Sequence, residues 1–99
     1  MAYFLYKLIP PRPTFPQDMT EAEGKLMQEH VAYWNDLVDN RTAVLFGPVA
    51  DPNGTYGLAI VEASDETAVR TIGKNDPTIK ADVGFKFEIY SMPDAISRK

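Results

Sequence analysis

The sequence predicts an α+β domain of the ferredoxin-like class, because strand-like and helix-like segments follow one another in the order β-α-β-β-α-β. Two observations support this prediction. Four short runs are rich in aromatic and branched residues, and two amphipathic segments separate the first run from the second and the third from the fourth. We therefore expect an antiparallel four-stranded sheet with both helices on one face.

The predicted strands are bounded by strong turn and breaker residues. Pro10-Pro11 ends the first run, Gly47-Pro48 the second and Pro93 the last. The turn Asp51-Pro52-Asn53-Gly54 makes a hairpin of the second and third. The strands are predicted at residues 3–9, 42–49, 56–63 and 85–92.

The clearest helix is predicted from Thr20 to about Asn40, with Thr20 and Glu23 as a capping box. A second helix is predicted over residues 65–73, with Ser64 as its cap, and Asp76-Pro77 is expected to open a further short turn or helix. Residues 12–19 contain two prolines and no periodicity, so we predict a loop there, either a plain surface crossover or a cover over something. The apolar stripe of the first helix consists of Leu26, His30, Trp34, Leu37 and Val38, joined by Met27 and Val31.

The strands are apolar on both faces, although the helices cover only one. In the second strand, for example, Val44 and Phe46 are expected to oppose Ala43 and Leu45. Monomers rarely expose so large an apolar face, so we predict a homodimer that packs sheet against sheet. The alternative is a monomer whose second face is covered by residues 10–19 and the tail. We expect one domain over residues 1–99, with its core at about 3–92 and a polar tail at 93–99.

The composition excludes several classes of function. Ten basic against fourteen acidic residues give a net charge of −4, which weighs against binding to nucleic acid. The chain has no cysteine and one histidine, so thiolate chemistry and a His-rich metal site are excluded. No apolar run has the length of a membrane span and no signal peptide is apparent, so we expect a cytoplasmic protein. Nucleotide-binding and calcium-binding motifs are absent, and we predict no cofactor and no metal.

His30 is the main candidate for chemistry, because its place on the apolar stripe turns it inward. A half-buried structural histidine is the alternative. Asp76 is either a helix cap alone or a carboxylate that accepts the N–H of His30 and leaves the other nitrogen free as a base. Gly47-Pro48 either borders a ligand or only ends its strand. Six aromatic residues either line a pocket or belong to the core: Tyr6, Tyr33, Trp34, Phe46, Phe85 and Phe87.

Four spaced segments resemble the YCII-related family of small bacterial proteins over about residues 3–92. They are His30-Val31-Ala32-Tyr33, Leu45-Phe46-Gly47-Pro48, Asn75-Asp76-Pro77 and Lys80-Ala81. The resemblance implies a dimeric α+β barrel of ferredoxin-like subunits, with His30 and Asp76 as a His–Asp active-site pair. Related proteins include an enzyme that removes HCl from a chlorinated hydroquinone-type compound, and muconolactone isomerase shares the barrel fold.

Together these features predict a cofactor-free acid–base enzyme, a lyase or isomerase, acting on a small organic substrate that is either aromatic-derived or of the enol type. The alternative is a homodimer that binds a small ligand or has an accessory role without catalysis. The chain departs from the family at three points. Met27 stands where the family often has a basic residue, Asp82 stands where it often has glycine, and residues 10–19 form a longer Pro-rich segment than usual.

Overall fold

The strands pair as the predicted ferredoxin-like α+β fold requires. The computed structural model describes residues 1–98, and its four antiparallel strands form one sheet in the order β2-β3-β1-β4. The strands are β1 (Ala2–Ile9), β2 (Ala43–Val49), β3 (Tyr56–Ala63) and β4 (Lys86–Met92). The helices are α1 (Phe15–Asp18), α2 (Glu21–Asp39), α3 (Glu66–Lys74) and α4 (Pro77–Lys80). Within residues 1–98, no helix is both long and apolar enough to cross a membrane.

Helix α2 begins with the predicted capping box. The Thr20 hydroxyl accepts the backbone N–H of Glu23 at 3.1 Å, and the Glu23 carboxylate accepts the backbone N–H of Thr20 at 2.9 Å. These reciprocal bonds satisfy two N–H groups that have no partner inside the helix. The start and the phase of α2 are thereby fixed, and its buried residues are His30 and Trp34.

Two predictions about the other helices are wrong. Asp65, and not Ser64, caps α3, because its carboxylate accepts the backbone N–H of Ala68 at 2.9 Å. Residues 12–19 are not a loop throughout, because they contain the one-turn helix α1. Pro16 suits the start of α1, because a backbone N–H in the first turn of a helix has no partner within the helix. The carboxylate of Asp18 also accepts the Thr14 hydroxyl at 2.6 Å.

The predicted alternation in β2 is also wrong. The register between β2 and β3 shifts between Ala43 and Leu45, so the strand holds an extra residue there. Such a bulge reverses the faces that follow it. Ala43 is 3% exposed and Leu45 is 50% exposed, although simple alternation would put them on one face. Phe46, beyond the bulge, packs on Trp34 on the helical side of the sheet.

The core lies between the sheet and the helices. Alternate residues of β1 (Phe4, Tyr6, Leu8) and β3 (Ala59, Val61, Ala63) point into it and are buried. The other face of these strands has partly exposed side chains, many of them apolar. In the predicted polar tail, residues 95–98 have no regular secondary structure, and Lys99 lies outside the described residues.

Candidate active site

Asp76 stands at the junction of α3 and α4, where it is the N-cap of α4. Its Oδ1 accepts the backbone N–H of Thr78 at 2.9 Å and the Thr78 hydroxyl at 2.7 Å. Pro77 suits the first position of this short helix, because its fixed φ is helical and no N–H is needed there. The local sequence Asp-Pro-Thr thus aims the carboxylate back into the protein.

The carboxylate of Asp76 contacts His30 from α2. His30 Nδ1 lies 3.1 Å from Oδ1 and 3.0 Å from Oδ2 of Asp76. Asp76 is 0% exposed and His30 is 9% exposed. The pair forms because α2 and α4 pack against each other, which brings together two residues 46 positions apart in the chain.

Two aromatic residues complete the surroundings of Asp76. The indole Nε1 of Trp34 donates to Oδ2 at 2.8 Å, and the hydroxyl of Tyr6 donates to the same oxygen at 3.2 Å. The Tyr6 and Trp34 rings also contact each other, with centroids 4.9 Å apart. Both oxygens of the buried carboxylate therefore have several donors, as a buried charge requires.

The balance of forces on Asp76 favours its charged form. Burial acts to raise the pKa of Asp76, but the hydrogen bond and charge of His30, with the bonds from Trp34 and Thr78, outweigh burial and lower it. An ionised carboxylate only accepts, so His30 Nδ1 carries the proton and donates it. Burial, followed by the charge of Asp76, raises the pKa of Tyr6 and keeps its hydroxyl a donor.

A cavity of about 280 Å³ opens beside His30. Since Nδ1 of His30 is engaged by Asp76, Nε2 is the nitrogen left for a molecule in this cavity. Asp76 lies behind His30 and does not line the cavity. The lining residues are Tyr6, Leu8, Pro10, Phe15, Pro16, Met19, Met27, His30, Val31, Trp34, Phe46, Gly47, Pro48, Thr55, Tyr56, Gly57, Leu58, Ala59 and Phe85.

The structure places six of the sequence candidates in this lining besides His30: Tyr6, Trp34, Phe46, Gly47, Pro48 and Phe85. The two remaining aromatic candidates, Tyr33 and Phe87, do not line the cavity. The Tyr33 hydroxyl instead donates to the carbonyl of Ile72 at 2.7 Å. A Cβ added to Gly47 would meet no atom within 4 Å, so packing alone does not require glycine at this position.

Sequence reasoning left open what residues 10–19 do, and the structure lays them against the cavity. Phe15 is 3% exposed and meets the ring of Phe85 edge-on, with centroids 5.2 Å apart. Arg12 fixes the segment, because its guanidinium donates to Asp18 at 2.7 Å and to both oxygens of Glu23 at 2.9 and 2.7 Å. The four prolines of residues 10–19 and the excess length of the segment were the only sequence signals of this cover.

Thr78 is a further residue of the site that the sequence analysis did not identify. Its place two residues after a predicted helix cap was a signal for the backbone contact, but the hydroxyl contact depends on side-chain packing. Within residues 1–98, no three histidine, cysteine or acidic side chains converge to hold a metal ion.

Comparisons with known proteins agree with the fold. No curated protein matches the chain. A solved structure of 5-chloro-2-hydroxyhydroquinone dehydrochlorinase from Burkholderia phenoliruptrix AC1100, in complex with 2,5-dihydroxybenzoquinone, is similar with a TM-score of 0.57 and 23% sequence identity. The similarity covers 89% of this chain and 91% of that one. The sequence model of the YCII-related domain matches residues 2–93, and the chain therefore belongs to the YCII-related family.

Proposed function

We propose that the protein is an acid–base enzyme of the lyase or isomerase type that needs no cofactor. It acts on a small organic, aromatic-derived molecule through His30 and Asp76. The observation that supports this most strongly is the buried carboxylate of Asp76 bound to Nδ1 of a histidine that lines a cavity. Such an arrangement supplies a base of fixed tautomer next to a binding site.

In the proposed reaction, Nε2 of His30 takes a proton from the bound molecule and returns it elsewhere or to solvent. Asp76 holds the imidazole in the Nδ1–H tautomer and stabilises the imidazolium that forms. Asp76 keeps its own orientation because Trp34 and Thr78 donate to it. His30 is the catalytic residue, and the other three are positioning residues.

The similar solved protein adds a specific candidate reaction. Its name states that it removes HCl from 5-chloro-2-hydroxyhydroquinone, and its structure contains a dihydroxybenzoquinone. An elimination of this kind needs a base to accept a proton while chloride leaves, which a His–Asp pair supplies without a redox step. We therefore include hydroxylated and chlorinated single-ring compounds among the first substrates to test.

The test measures chloride release and deuterium uptake from solvent with a panel of such ring compounds. We expect His30→Ala and Asp76→Asn each to lose most turnover, by about 10²- to 10⁴-fold, the usual contribution of a general base. Glu29→Gln is the matched control, because Glu29 is exposed on the same helix next to His30 in sequence. Unchanged turnover in both site variants would refute the proposal.

A non-catalytic ligand-binding protein is the second candidate. The observation that favours it is the small number of ionisable groups in the cavity: in the part of the chain that the structure describes, only Tyr6 and Tyr56 line it besides His30. This candidate predicts ligand binding without turnover, and binding that survives His30→Gln because the side chain remains similar in size.

We also propose that two copies pack through the open faces of their sheets. Leu45 and Tyr90 are 50% and 52% exposed there. The same face includes Lys7 and Glu88, which pair across β1 and β4. A face with both apolar groups and charges of both signs can match a second copy of itself about a two-fold axis.

Light scattering after size exclusion tests the dimer. We expect a dimer at micromolar concentration, and dissociation in Leu45→Glu, which puts a charge in the proposed interface. Gln28→Glu, exposed on the helical side, is the control with the same added charge. A monomeric wild type would contradict the proposal.

A further inference from the structure

Among residues 1–98, no cationic side chain lines the cavity beside His30 to receive an anion. None of the nineteen lining residues is lysine or arginine. Four of them are phenylalanine or tryptophan, namely Phe15, Trp34, Phe46 and Phe85, and Tyr6 contributes a further ring. Burial of an unpaired carboxylate among apolar groups is strongly unfavourable. The lining alone therefore favours uncharged ligands.

The His30–Asp76 pair does not change this balance. With a neutral imidazole the pair has a net charge of −1, because Asp76 is ionised. With a protonated imidazole its net charge is zero. In neither state does the pair offer net positive charge to a bound anion, and in the first it repels one.

Two cations that contact rings of the lining, Arg12 and Lys7, have other partners. The guanidinium of Arg12, which lies 5.4 Å from the centroid of the Phe15 ring, is bound to Asp18 and to both oxygens of Glu23. The ammonium of Lys7 lies over the ring of Tyr56, 4.5 Å from its centroid. Lys7 alternates along β1 with the buried Tyr6 and Leu8, so its side chain lies on the opposite face of the sheet from theirs. Neither cation is a lining residue.

Met27 lies beside His30 in the lining of the cavity. It is three residues before His30 on α2, so the two side chains emerge on the same side of the helix, and both line the cavity. A lysine or arginine at this position would present its charge beside the imidazole. The thioether of methionine instead adds an apolar, polarisable wall that suits an aromatic ring.

We propose that the protein selects uncharged ring compounds with a weakly acidic hydroxyl group, and that Met27 determines the exclusion of carboxylates. The hydroxyl contacts Nε2 of His30, and the ring lies among the aromatic side chains. A cavity of about 150 Å³ is enough for benzene, so the volume of about 280 Å³ admits a substituted single ring. This inference rests on the proposed function in taking the cavity beside His30 as the ligand site.

Phenol and benzoate are the probes, because they share one ring and differ in charge at neutral pH. Trp34 and His30 are the only tryptophan and the only histidine of the chain and both line the cavity. Indole fluorescence and the imidazole NMR signals therefore report binding at this site. We expect the Kd of wild type for phenol to be lower than its Kd for benzoate by about tenfold or more.

Met27→Lys and Met27→Arg should raise the affinity for benzoate relative to phenol by about tenfold or more. Met27→Leu keeps an apolar side chain of similar size, and Gln28→Lys adds the same charge on the exposed side of α2, so both should keep the wild-type ratio. The wild-type ratio tests the ligand class even if a charged residue at position 27 prevents folding.

The inference is overturned if wild type binds benzoate as tightly as phenol, if phenol does not bind at millimolar concentration, or if folded Met27→Lys and Met27→Arg keep the wild-type ratio. These failures differ from failure of the proposed function. Selective phenol binding without any His30-dependent turnover would refute catalysis alone, whereas His30-dependent turnover confined to carboxylates would refute the ligand class alone.

Discussion

The indole Nε1 of Trp34 lies 2.8 Å from Oδ2 of Asp76, closer than Nδ1 of His30, which lies 3.0 Å from the same oxygen. The carboxylate is thus held by donors from α2, from β1 through Tyr6 and from its own capping turn through Thr78. Its orientation does not depend on His30 alone. Substitutions of the donors therefore test the support of the site separately from its base.

The Thr78 hydroxyl should be an important donor for stability. Thr78→Val keeps the shape of the side chain and removes the 2.7 Å contact to Asp76. A hydrogen bond to a charged group contributes about 1.5–3 kcal/mol, so we expect a loss of that order in the free energy of unfolding. Urea denaturation measures it. Thr78→Ser retains the hydroxyl and should lose less, and an equal loss in the two variants would contradict this role.

Stability should fall at alkaline pH through the buried tyrosines. Burial, followed by the charge of Asp76, raises the pKa of Tyr33 from 10.0 to about 12, and the pKa of Tyr6 is raised as well. A raised pKa in the folded state stabilises the protein below pH 10.0, and this contribution is lost as the pH rises from 10.0 towards 12. Unfolding curves recorded at several pH values across this range give the free energy of unfolding. It should depend less steeply on pH in Tyr33→Phe than in wild type. An unchanged pH dependence in that variant would be the contrary result.

The attachment of residues 10–19 should weaken in acid. The hydrogen bonds from Arg12 lower the pKa of Glu23 from 4.5 to about 2. A lowered pKa gives stability that is complete above pH 4.5 and is lost as the pH falls towards 2. Hydrogen exchange of residues 10–19 should therefore speed up in this window. Glu23→Gln should show the faster exchange already at pH 6, and equal exchange in variant and wild type there would count against the role of this contact.

The rings of Tyr6 and Phe87 pack so closely against Gly73 that a larger residue at this position should destabilise the protein. A Cβ at Gly73 would lie 2.7 Å from Cε2 of Phe87 and 2.9 Å from Cε1 of Tyr6. Gly73→Ala should therefore displace the ring of Tyr6 and cost about 1–3 kcal/mol, reduced by the gain in helix propensity. Gly24→Ala, in α2, is the matched control, because its Cβ would meet only the sulfur of Met19 at 3.8 Å. It should stabilise by up to about 1 kcal/mol, and denaturation midpoints that fall equally in both variants would contradict this prediction.

Local signals in the sequence were sufficient for the order of elements and for the inward direction of His30. Thr20 and Glu23 determine where α2 begins, and the helical period then places His30 and Trp34 on the buried side. Asp76 before Pro77 indicates a cap. The contact between His30 and Asp76 was predictable only as one of two alternatives, because it depends on how α2 and α4 pack.

The remaining features depend on interactions that no local pattern records. The bulge between Ala43 and Leu45 exists only in the pairing of β2 with β3. Asp65 rather than Ser64 caps α3, and the local sequence does not distinguish the two because Asp and Ser are both favoured at the N-cap. The convergence of Tyr6, Trp34 and Thr78 on one carboxylate joins three parts of the chain, and the cover over the cavity depends on the contacts of Arg12 with Asp18 and Glu23.

The tautomer of His30 is the most direct test of this account. A nitrogen-15 NMR spectrum, recorded where the imidazole is neutral, distinguishes a proton on Nδ1 from one on Nε2, and the single histidine makes the assignment unambiguous. We expect Nδ1–H with an unprotonated Nε2 in wild type, and loss of this preference in Asp76→Asn. A wild-type spectrum with the proton on Nε2 would contradict it, because the nitrogen facing the cavity would then be unable to accept a proton.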